Sequence, residues 1–101
     1  MNHDAGALSS ALAAAVGDDI ALKAELRAAF LDGSARLADM LARARCDANW
    51  HGAALRLKGL AASFGAIALM NAAEEAHAAA PGDPVAVRHV RTALAAIVAG
   101  D

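Results

Sequence analysis

The chain has 101 residues, a net charge of −2, a single cysteine and only three aromatic side chains of the Phe/Trp/Tyr type. That length fits one small domain, 1-101, and the lone Cys46 excludes an internal disulfide and any multi-cysteine metal site. Without a basic surface or a series of stacking rings, no nucleic-acid partner is expected. Roughly a third of the residues are alanine while β-branched and aromatic residues are scarce, so the expected fold class is all-α.

No run long enough to span a bilayer lacks charge, and no basic head precedes an apolar stretch at the start. The expectation is a soluble, cytoplasmic protein with no membrane partner. Cys46 is expected to be an inert, small apolar side chain.

In chain order, a short helix over about Ala7 to Val16 is stopped by Gly17, and Asp18 or Asp19 caps the next. The second helix is long and ends near Arg45. Its apolar stripe comprises Leu22, Leu26, Phe30, Leu37, Met40, Leu41 and Ala44, with Gly33-Ser34 as the expected site of a bend. Asp47 opens a third helix running to about Phe64, with Gly65 as its stop, and a fourth covers about Ala66 to Ala79. In Pro81-Gly82-Asp83-Pro84, Asp83 is the cap and Pro84 the first residue of the last helix, whose stripe is Val87, Val90, Leu94, Ile97 and Val98. Four amphipathic helices joined by short turns cannot bury their stripes separately. The expected architecture is therefore an antiparallel up-and-down four-helix bundle with a short extra N-terminal helix.

On the third helix, Trp50, Ala53, Ala54, Leu57, Leu60, Ala61 and Phe64 share one side and form the core stripe. Measured from Trp50 at about 100° per residue, Lys58 falls near 80°, His51 near 100°, Ala62 near 120°, Leu55 near 140° and Gly59 near 180°. These residues are expected to face solvent together. Gly59 costs about 1 kcal/mol relative to alanine inside a helix, which points to a close approach of another backbone there or to tight packing against a neighbouring helix.

The segment Ala54-Leu55-Arg56-Leu57-Lys58-Gly59, followed by Gly65-Ala66, resembles the signature of histidine-containing phosphotransfer (HPt) domains. That family reads His-x-Leu-Lys-Gly and then Gly-Ala six residues later. Lys58, Gly59, Gly65 and Ala66 match the pattern, Ala54 fits the small residue before the histidine, and Trp50 fits the apolar position five before it. Ala61 stands where a small hydroxyl residue is common. The resemblance implies a helical-bundle fold and a partner that is a response-regulator receiver domain and/or a histidine kinase. In the family the histidine accepts the phosphoryl group, and here Leu55 replaces it, so no catalytic residue stands at the usual position.

The leading expectation is a pseudo-HPt that is not an enzyme and binds its partner through His51, Leu55, Arg56, Lys58, Gly59 and Ala62. One alternative makes His51, one turn before Leu55, a displaced phosphoacceptor. Another is a purely structural helical interaction module. His77 is expected to pair with Glu74 on one helix surface, and no metal or cofactor is expected. His3, His89 and the serines show no catalytic arrangement. Oligomeric state stays open.

Overall fold

The computed structural model describes residues 3–100, with side chains from residue 6 onward. Five helices account for the regular structure: α1 (His3–Val16), α2 (Ile20–Arg43), α3 (Asp47–Ser63), α4 (Ile67–Ala78) and α5 (Pro84–Ala99). No strand occurs among the described residues. None of these helices is long and apolar enough to cross a membrane.

Local chemistry explains the boundaries. Gly17 ends α1 at φ +63°, and the Asp19 carboxylate accepts from the Leu22 N–H at 2.9 Å to cap α2. At the end of α3 the Gly65 N–H donates to Ala62 O at 3.2 Å and the Ala66 N–H to Ala61 O at 2.9 Å, with Gly65 at φ +69°. This is a Schellman motif, and it needs a residue tolerant of left-handed backbone at that point. Asp83 Oδ1 accepts from the Val85 N–H at 3.0 Å, and Pro84 starts α5, where its missing N–H costs nothing. The α3 start differs: Cys46 occupies the cap position without a side-chain hydrogen bond, and Asp47 contributes instead as an acid in the first turn. Cys46 is a free, exposed thiol.

Consecutive helices pack side by side from α2 to α5, α5 also lies against α2, and α1 touches α2, α4 and α5. The central pair is α3 and α4, which run in opposite directions: His51 meets His77, and Lys58 meets the earlier Glu74. At the far end of α3, Gly65 faces Ala7 of α1, with the position of a glycine Cβ 3.6 Å from that methyl carbon. Thus α1 lies over the α3–α4 turn.

The core joins Phe30, Leu37 and Leu41 of α2, Trp50 and Leu57 of α3, Leu69 of α4, Val90 and Ile97 of α5, and Leu8 and Leu12 of α1. Between them sit buried alanines such as Ala54, Ala61, Ala73 and Ala76, each at 0% exposure. Small side chains at the contacts let helix axes approach closely, so alanine richness here serves interhelix packing as well as helix propensity. The Trp50 indole N–H donates to Ala76 O at 2.6 Å inside this core and ties α3 to α4.

Several stripe assignments are corrected. Leu22, Met40 and Val98, which lie near the ends of α2 and α5, are exposed. Ser34 and Ala38 take buried places on α2 instead. The helix runs without interruption through Gly33-Ser34. Gly33 serves close packing there: a Cβ at that position would lie 3.4 Å from Leu60 Cδ2 of α3.

Candidate protein-docking site

The outer face of α3 follows from the burial of its inner one. Trp50, Ala54, Leu57 and Ala61 are fully buried, and the 3.6-residue repeat then carries Leu55, Arg56, Gly59 and Ala62 to the surface. Leu55 is 52% exposed, with no nucleophilic atom to offer. His51 and Lys58 are half-buried at the edge of this face, on the side of α4. The six residues expected at the partner-binding site therefore lie on one helix, four facing outward and two leaning towards α4.

Gly59 has no heavy atom within 4 Å of where a Cβ would stand. No neighbouring helix packs on it, which rules out the intramolecular explanation for a glycine in mid-helix. Its carbonyl accepts the Ser63 hydroxyl at 2.9 Å, a local bond within α3. Beside Leu55 the surface is therefore recessed rather than filled.

Charge on this face is shaped by partners that the sequence order hides. Lys58 Nζ lies 3.6 Å from Glu74 Oε1 across the α3–α4 seam. Glu74 thus faces Lys58, and the ring of His77 packs against His51 with centroids 5.0 Å apart, which replaces the expected Glu74–His77 surface pair. His89 is also paired: its Nδ1 lies 2.8 Å from Glu75 Oε2. Such contacts depend on the register between helices, and no spacing within one helix could have found them.

On the α2 side, Arg56 and Arg43 flank a depression of about 390 Å³ that also includes Met40, Asn49 and Gly52. It adjoins the outer face of α3 and adds positive charge and an exposed methionine to it. A larger depression of about 550 Å³ lies across α2 and α5, lined by residues such as Pro84, Val87 and Arg91, and shares none of the α3 residues. Arg45 is spent locally, donating to Ala42 O and Ala44 O at the end of α2. Among the described residues no group of three or more His, Cys, Asp and Glu side chains is placed to hold a metal ion.

This surface offers an apolar anchor at Leu55, a recess at Gly59, cations at Arg56 and Lys58, and a second basic margin at Arg43. Comparison with family models, curated proteins and solved structures finds no match for this chain.

Proposed function

We propose that the five helices form an HPt-like bundle, an antiparallel four-helix array of α2 to α5 with α1 as the added helix, and that the chain is a cytoplasmic pseudo-HPt of two-component phosphorelay signalling. It binds a response-regulator receiver domain or a histidine kinase without carrying phosphate, and acts by occupying the partner's docking surface. The observation that best supports this reading is the pairing of an exposed Leu55 with open space at Gly59, at the two motif positions where the family presents its imidazole and leaves room for a partner. Arg56, Arg43 and Lys58 favour an acidic partner surface, and such complementarity chiefly sets encounter rate and choice of partner.

The test is a binding and phosphotransfer profile of the native chain and Leu55→His against the receiver domains and histidine kinases of the source genome. The expected result is selective binding by both proteins, with acid-labile phosphate appearing only on Leu55→His. Absence of binding to every receiver and kinase would sink this reading in favour of a structural module. Acid-labile phosphate on the native chain that disappears in His51→Ala would replace it with the displaced phosphoacceptor.

A further inference from the structure

We infer that His51 and His77 form a two-imidazole clamp for one borderline transition-metal ion, of the Zn²⁺ or Co²⁺ class, spanning α3 and α4. An imidazole nitrogen lies about 1.15 Å from its ring centre and about 2.0–2.1 Å from a bound first-row ion, so two rings sharing an ion at about 90–109° have centres about 4.5–5.2 Å apart. The observed separation is 5.0 Å, with the rings inclined by 52°. The separation of ring centres therefore falls within the range that shared coordination requires.

The backbone beneath the two rings is held in place. Trp50 and Ala76, the residues immediately before His51 and His77, are both fully buried and joined by the 2.6 Å hydrogen bond from indole N–H to carbonyl O. Ligands mounted on two helices locked at that level lose little freedom on binding an ion. Both rings are half-buried, open enough for an ion to enter and covered enough to limit their motion. Among the described residues neither ring engages a carboxylate, whereas His89 in α5 is occupied by Glu75.

No third His, Cys, Asp or Glu among the described residues completes the coordination set. The remaining positions fall to water or to a donor from another molecule, an open arrangement of the kind that lets a metal bridge two partners. The clamp lies at the α4 edge of the face that carries Leu55, yet it stands on geometry alone and does not depend on the docking proposal.

The test is calorimetric titration of the full chain with Zn²⁺, repeated with Co²⁺ for its visible spectrum. A His3→Ala, Cys46→Ser background removes a terminal imidazole and an exposed thiol that would compete. One equivalent should bind and be released by chelator. Losing a mere outer partner of a metal ligand costs about 10–100-fold in affinity, so His51→Gln and His77→Gln should each lose at least that much, with His89→Gln unchanged. Unaltered helical circular dichroism in each variant keeps the comparison valid, and Zn²⁺ should raise the melting temperature of the background protein but of neither clamp variant. Absence of saturable binding, or binding that survives either His51→Gln or His77→Gln, would overturn the clamp and leave only a packed ring pair.

Discussion

Replacing Gly59 by alanine separates stability from docking, because the two responses should move in opposite directions. Gly59 sits in the interior of α3, is exposed, and has no atom within 4 Å of a built Cβ. The methyl group therefore meets nothing among the described residues, and the substitution keeps only its backbone benefit, about 0.5–1 kcal/mol of added stability. For a domain of this size, each kcal/mol raises Tm by about 4–8 °C, well within reach of a thermal melt. If a partner's backbone enters the recess, the same methyl overpacks a close contact at about 1–3 kcal/mol, which is about 5- to 150-fold in Kd. The assay is a melt of the isolated chain beside a titration with the receiver or kinase that the native protein selects. Gly6→Ala in α1, equally uncrowded and on another element, serves as the control that should leave affinity alone. A stabilised Gly59→Ala variant with native affinity would refute docking at this recess. A destabilised one would refute the packing argument itself.

Leu55→His should change stability by less than about 1 kcal/mol, because half of the leucine already faces water, whereas Leu57→His buries an imidazole at a fully covered site and should unfold the chain by circular dichroism. Trp50→Phe, measured by chemical denaturation, should cost about 1–3 kcal/mol through the lost hydrogen bond to Ala76 and the space left behind. Gly65→Ala should cost about 1–2 kcal/mol in the same measurement, since φ +69° disfavours a side chain although the neighbouring Ala7 leaves room for one. Lys58→Glu breaks an exposed ion pair, so its melt should shift by less than about 1 kcal/mol, while affinity for an acidic partner surface should fall.

What could be read from the chain is what short-range chemistry decides. Gly17, Asp19, Gly65 and the Asp83-Pro84 pair mark helix ends in the structure because each satisfies, or stands in for, a backbone group within a few residues of itself. The inner and outer faces of α3 also follow from periodicity, since Trp50, Ala54, Leu57 and Ala61 leave a single way to turn the helix. The errors arise where a second element decides. Leu22, Met40 and Val98 fit their stripes by spacing yet stand exposed. Gly33 lies close to Leu60 of α3, a contact that the periodicity of α2 alone does not announce. Lys58–Glu74, His51–His77 and Glu75–His89 each join residues whose proximity depends on how two helices slide past one another.

The indole of Trp50 gives the molecule an internal optical gauge. It is the only tryptophan in the chain, fully enclosed, and its N–H is committed to a carbonyl on the adjoining helix. Its emission should be blue-shifted in the folded chain and move to longer wavelength when α3 and α4 part. A paramagnetic ion such as Co²⁺ held at the neighbouring imidazole pair would dim the same signal, so one fluorophore records both separation of the helices and occupancy at their seam.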